Sequence, residues 1–139
     1  MENTVEQKHG AGLLVTSDLI FSTKITGTAG ALNLEMQVVG SPTAALERVR
    51  SDPPRCIFLD LNSSSLTPQS IREIVAAAGG VPVLAFGSHV DTARLQAASD
   101  AGCTEVMPRS RLASALPQLL EQYLRDGLAR PGSAKGVAE

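Results

Sequence analysis

Four short apolar runs of the 139-residue chain each end on residues able to do chemistry. CIFLD (56–60) ends on Asp60, and LLVT (13–16) is followed by Ser17-Asp18. VPVLAF (81–86) is followed by Gly87-Ser88, and EVM (105–107) by Pro108-Arg109. Asp60 is either a reactive carboxylate at the end of a buried strand or a strand-end residue that caps its own loop. Asp18 has an equally plain reading as the N-cap of the helix that follows it. A guanidinium at 109 could pair bidentately with a carboxylate at 60. Together with Ser17, Ser88 and free loop amides, Arg109 could also line a pocket for phosphate or a nucleotide. His89 follows in the same loop, where a lone histidine with no identified partner is read as simply exposed.

These residues can act together only if the elements between them bring them to one place. Five apolar, partly β-branched runs recur: 13–16, 36–39, 56–61, 81–86 and 105–107. Runs this short and this apolar suit strands covered on both faces, as in a parallel sheet. Helical stretches alternate with them. Ser41-Pro42 opens one as N-cap and first helical residue, and Thr67-Pro68 repeats the arrangement. Asp91 opens another, while Gly79 and Gly102 supply stops. Helix one, about 19–32, has the poorest helix formers, with Thr26, Gly27, Thr28 and Gly30. Pro117 forbids a continuous last helix from Arg111, so that helix is expected from about 115 to 125 with Ser114 as its N-cap. Leu116, Leu119, Leu120, Tyr123 and Leu124 would form its apolar face.

Five βα units in about 115 residues predict an α/β fold, a three-layer (βα)5 doubly wound parallel sheet. The expected strand order is 2-1-3-4-5, the flavodoxin-like arrangement, which places ligands outside the carboxyl ends of the strands beside strands one and three. Residues 11–126 would form this domain, with disordered ends at 1–10 and 127–139.

The composition excludes several function classes. Apolar residues make up 43%, as in soluble globular proteins. The formal net charge is −2 and the basic residues are scattered, so no nucleic-acid face is expected. No apolar run approaches the roughly 20 residues of a membrane span. The start MENTVEQKHG lacks the apolar core of a secretory signal, and the two cysteines, Cys56 and Cys103, sit in apolar segments. Together these point to a reduced, cytoplasmic protein. Neither a GxGxxG nor a GxxxxGK[ST] motif is present, and no GxSxG elbow, so dinucleotide, P-loop and hydrolase chemistry are not supported and no enzyme is expected. The SDLIF loop is too apolar to cradle a flavin phosphate.

With its motifs in view, the sequence resembles the receiver domain of two-component response regulators over residues 12–126. The resemblance rests on LLVTSDLI, CIFLDLN, VPVLAFGS and ASDAGCTEVMPRS. In that family an acidic pair and an acceptor aspartate hold Mg²⁺, the aspartate is phosphorylated, a Ser/Thr contacts the phosphoryl group, and a lysine pairs with it. The resemblance makes Asp60 the phosphoacceptor position and Ser17 and Asp18 the acidic corner. It puts Gly87, with Ser88 beside it, at the Ser/Thr position, and Arg109 at the lysine position. Any metal would fall to Asp18, Asp60 and a carbonyl near Asn62, and would be weakly held. Ser17, Gly87 and Arg109 depart from the family pattern, so the resemblance implies a pseudo-receiver, a signalling or scaffolding module without a resident cofactor. The alternatives are a working phosphorelay receiver with Asp60 as its Mg²⁺-dependent acceptor, or the anion or nucleotide binder described above. The implied protein partner would dock on the face of helix four, strand five and helix five, carrying Arg94, Gln96, Glu105, Arg109, Arg111 and Gln118. The chain would be a monomer or weak homodimer.

Overall fold

A computed structural model describes residues 10–125. Its strands are β1 (Gly12–Val15), β2 (Met36–Val39), β3 (Ile57–Asp60), β4 (Val83–Gly87) and β5 (Glu105–Pro108). They form one parallel sheet in the order β2-β1-β3-β4-β5. Every residue of β1, β3 and β4 is buried, whereas the edge strands β2 and β5 are partly open. That contrast explains the sequence: central strands covered on both faces carry continuous apolar runs, and edge strands can mix in Gln37 and Glu105.

The helices between them are α1 (Leu19–Ala31), α2 (Pro42–Ser51), α3 (Pro68–Ala78) and α4 (Thr92–Asp100). Each begins where a side-chain oxygen satisfies a free amide: Asp18 accepts from Phe21, Ser41 from Ala44, Thr67 from Ser70 and Asp91 from Arg94. At Thr67 the cap is reciprocal, because the Ser70 hydroxyl accepts the Thr67 N–H. Gly79 and Gly102 take φ of 63° and 102°, a left-handed backbone that glycine adopts without steric cost. In α1 the poor helix formers Gly27 and Gly30 face open space, while Ser22, Ile25 and Ala29 are buried. Packing of that inner stripe overrides the weak propensity.

The chain after β5 corrects the expected final helix. A short helix, α5 (Arg109–Ser114), starts directly after the strand, and α6 (Leu116–Leu120) and a π-helical turn (Glu121–Arg125) follow. Ser114 is not an N-cap: its hydroxyl donates back to the Arg111 carbonyl at 3.3 Å. The break falls at Ala115, with φ −107° and ψ 17°. Pro117 then lies in the first turn of α6, where its missing N–H costs no helical bond. The expected apolar face forms, since Leu116, Leu119, Leu120, Tyr123 and Leu124 are all buried.

Two cores sandwich the sheet. One joins Leu13, Val15, Ile57, Leu59 and Leu61 to α2, α3 and α4; the other joins Leu14, Phe58, Leu84 and Phe86 to α1, α5, α6 and the π turn. The expected ends 1–10 and 127–139 lie, Gly10 apart, outside the described residues. Among the described residues no helix is long and apolar enough to cross a membrane.

The two cores contain groups that must stay protonated. Burial pushes the Cys56 thiol up from its ordinary 9.0, and Cys103 to about 11. Burial, with the 2.6 Å hydrogen bond from Tyr123 to Glu105, likewise pushes the Tyr123 phenol up from 10.0. Above pH about 9 the unfolded chain sheds protons that the fold retains, so stability falls as pH rises. Urea midpoints should therefore be level near neutrality and decline progressively above pH about 9. A midpoint unchanged up to pH about 11 would contradict this.

Candidate functional site: an arginine bridging two carboxylates

Because all five strands run parallel, their carboxyl ends share one edge, and the register aligns them closely. Asp60 pairs with Phe86 and Gly87 with Pro108. Arg109, the first residue of α5, leaves β5 at that edge. Asp18 sits above β1 as the cap of α1. The loops thus bring Asp18, Asp60 and Arg109 together from three separate βα units.

Asp60 is only 1% exposed, and its carboxylate is enclosed by donors. The Thr16 hydroxyl donates to Oδ2 at 2.6 Å, and the Asn62 N–H donates to Oδ1 at 3.0 Å. Nη2 of Arg109 lies 3.4 Å from Oδ1 and 3.3 Å from Oδ2. A buried carboxylate is tolerated only with this kind of satisfaction. The expected bidentate pair is corrected in one respect. One nitrogen of the fork straddles Asp60, while the other, Nη1, reaches 3.6 Å towards Asp18 Oδ2. With a carboxylate on each side, the guanidinium bridges both and docks squarely on neither. The Phe21 ring lies beneath it, 4.1 Å from ring centroid to the guanidinium carbon, and packs on Phe86 with centroids 5.3 Å apart.

The remaining sequence-predicted positions are arranged differently. Ser17 is exposed, with its amide and hydroxyl directed to Ser63 Oγ at 3.1 and 3.3 Å. A Cβ built on Gly87 would lie 3.1 Å from Leu61 Cβ, so Leu61 fills the space that a side chain there would need. The Ser88 hydroxyl accepts the Val90 N–H at 3.4 Å within its own turn. His89 is exposed. The Asn62 side chain is exposed while its amide serves Asp60. Sequence reasoning missed Thr16, Phe21, Ser63 and Leu61. Two of them left a signal: Thr16 is a hydroxyl at the end of an apolar strand, and Phe21 follows Asp18 by three residues, one helical turn.

The site can be tested for the divalent ion that its topology suggests. Mg²⁺ wants near-octahedral oxygen ligands, including one or two free carboxylates. Here the guanidinium stands between the two carboxylates, Asp18 Oδ1 is committed to capping Phe21 at 2.9 Å, and Ser17 contributes no charge. Among the described residues no group of three His, Cys, Asp or Glu side chains could hold a metal. The donor set does not fit the ion.

The expected docking face is also partly used internally. Arg94 donates to the Leu61 carbonyl at 2.8 Å and lies 3.4 Å from Asp91; Glu105 accepts from Tyr123; Arg109 belongs to the site. Gln96, Arg111 and Gln118 are exposed. A groove of about 340 Å³ runs between α4 and the start of α3 with the loop before it, with Leu66, Pro68 and Ile71 on one wall and Arg94 and Ala97 on the other.

No protein-family model matches the chain, and no curated protein matches it in sequence. Its fold, however, is similar to many solved structures. The phosphorylated cyanobacterial phytochrome response regulator RcpA matches with a TM-score of 0.72 and 16% identity, over 85% of this chain and 99% of RcpA. The receiver domain of a sensor histidine kinase from Pseudomonas aeruginosa PAO1, solved with magnesium in its active-site cleft, gives 0.71 and 19%, over 82% and 96%. NtrX from Brucella abortus gives 0.74 and 18%, over 91% of this chain and 29% of NtrX. The chain therefore has the response-regulator receiver fold, the flavodoxin-like sheet with order 2-1-3-4-5.

Proposed function

We propose that the chain is a receiver-like signalling module that docks a protein partner, with Asp60 a structural carboxylate and not a phosphoacceptor. The observation that carries this reading is the enclosure of Asp60. Phosphoryl transfer to a carboxylate needs an oxygen with a free lone pair and an open line of approach to phosphorus. Asp60 is 1% exposed, and both its oxygens are engaged by Thr16, Asn62 and Arg109. The crowding of Gly87 by Leu61 supports the same reading, because no hydroxyl stands there to receive a phosphoryl oxygen. Arg109 supplies the neutralising charge from within.

In this reading no cofactor is resident and the chain is not an enzyme. The partner is a protein rather than a nucleic acid or membrane, and it meets the face of α4, β5, α5 and α6 through Gln96, Arg111 and Gln118. The module is a monomer or weak homodimer of residues 11–126. The reduced cysteines Cys56 and Cys103 are consistent with a cytoplasmic setting.

The test is incubation with a small phosphodonor and Mg²⁺, followed by intact-protein mass spectrometry. The expected result is no adduct of about 80 Da, the mass of one phosphoryl group. A near-stoichiometric adduct that Asp60→Asn abolishes would overturn the proposal in favour of a working phosphorelay receiver.

A further inference from the structure

We infer that the π-helical turn Glu121–Arg125 is a latch that opens without the sheet, and that Glu105 on edge strand β5 is its catch. The residues that hold the turn lie at the amino edge of the sheet, opposite Asp60 and Arg109, so the inference stands apart from the reading of that site. Three side chains of the turn reach three different elements. The Tyr123 phenol donates to Glu105 Oε1 at 2.6 Å. Leu124, 1% exposed, fills the space beside Gly12, where a built Cβ would lie 2.9 Å from its Cδ2. Arg125 donates to the carbonyl of Leu32, the residue that caps the end of α1, while its Nε lies 2.7 Å from Glu121 Oε1.

The backbone gives the turn little support of its own. A π-helical turn is rare and occurs mostly as a single turn at functional sites. This one follows a five-residue helix, α6, behind the break at Ala115, and helical segments shorter than about 12 residues do not hold themselves. The turn therefore opens at the cost of its own contacts, below that of unfolding β1, β3 and β4, which are buried throughout. Of the three contacts, the Tyr123–Glu105 bond is the one both shielded and charge-assisted, since Tyr123 is 4% exposed and Arg125 is exposed. Glu105 is half-buried on an edge strand, within the face expected to receive a protein partner. Neutralising its carboxylate from outside loosens the end of the domain and leaves the sheet intact.

The experiment is native-state amide exchange of the full chain, read residue by residue by NMR. In wild type the amides of Tyr123, Leu124 and Arg125 should be at least about tenfold less protected than those of Leu14, Phe58 and Leu84. Tyr123→Phe and Glu105→Ala should each speed exchange in the turn by about a further tenfold, and the double variant should add less than about twofold, because both remove one bond. Glu105→Gln, which removes the charge and keeps an acceptor, should speed it about threefold. Ile74→Val separates the turn from the sheet, because Ile74 lies in the core on the other face. It should speed the central strands by about two- to tenfold and leave the turn unchanged. Turn amides as protected as the central strands, or sped equally by Ile74→Val, would show that the turn opens only with the sheet and overturn the inference. Turn exchange unchanged in Tyr123→Phe would remove Glu105 as the catch and overturn it too. The wild-type and Ile74→Val measurements decide even if Glu105→Ala does not fold, and none of them bears on the phosphodonor test.

Discussion

Arg109→Ala is expected to lower stability by about 3 kcal/mol, and Asp60→Asn by only about 1–2 kcal/mol, although both break the same pair. The asymmetry follows from where each partner is left. Without the guanidinium, Asp60, 1% exposed in the intact chain, keeps its full charge with only the Thr16 hydroxyl and Asn62 amide for support. Without the Asp60 charge, Arg109 keeps Asp18 and the Phe21 ring, and its side chain is already 29% exposed, so it can turn towards water. A stranded buried charge is the costly case. Urea unfolding of wild type and both variants at neutral pH would measure this. Equal losses for the two substitutions would mean that the asymmetry of the bridge carries little energy.

The uneven legibility of this site in the sequence has a physical basis. The fold was readable because its signals are local: Ser41-Pro42, Thr67-Pro68 and Asp91 mark helix starts by satisfying amides a few residues away. The convergence of Asp18, Asp60 and Arg109 was readable too, since it follows from strand order alone. What escaped depends on side chains meeting across elements. That Leu61 occupies the space beside Gly87 is set by the loop after β3 turning back over β4, where the Leu61 N–H donates to the Phe86 carbonyl at 2.8 Å. No pattern within either segment encodes that approach. The single-nitrogen contact of Arg109 with Asp60 likewise depends on Asp18 competing for the other half of the fork. Pro117 announced a break in the last helix, but placing it at Ala115 required a helix to begin at Arg109, ahead of the start expected at about 115.

Phe86→Ala should cost about 3–5 kcal/mol, the range for deleting a fully buried aromatic ring from a packed core. Phe86 is 0% exposed on a central strand, where neighbouring backbone cannot collapse into the cavity. Its second role is separable from the first. Phe86 supports Phe21, and Phe21 supports the guanidinium face, so the ring beneath the strand is coupled to the charge above it through one intermediate. A cycle of Phe86→Leu, Arg109→Gln and the pair together distinguishes the two roles, because leucine keeps most of the buried volume and loses the aromatic edge. If Phe86 only fills space, the two losses should add within about 0.5 kcal/mol. If it holds Phe21 in place beneath Arg109, part of the Arg109→Gln loss has already been incurred in the leucine background. The losses should then fall short of additivity by about 0.5–1.5 kcal/mol, the scale of one ring contact and one cation–ring contact. Additive losses would confine the stack to the core and leave the bridge standing on Asp18 and Asp60 alone.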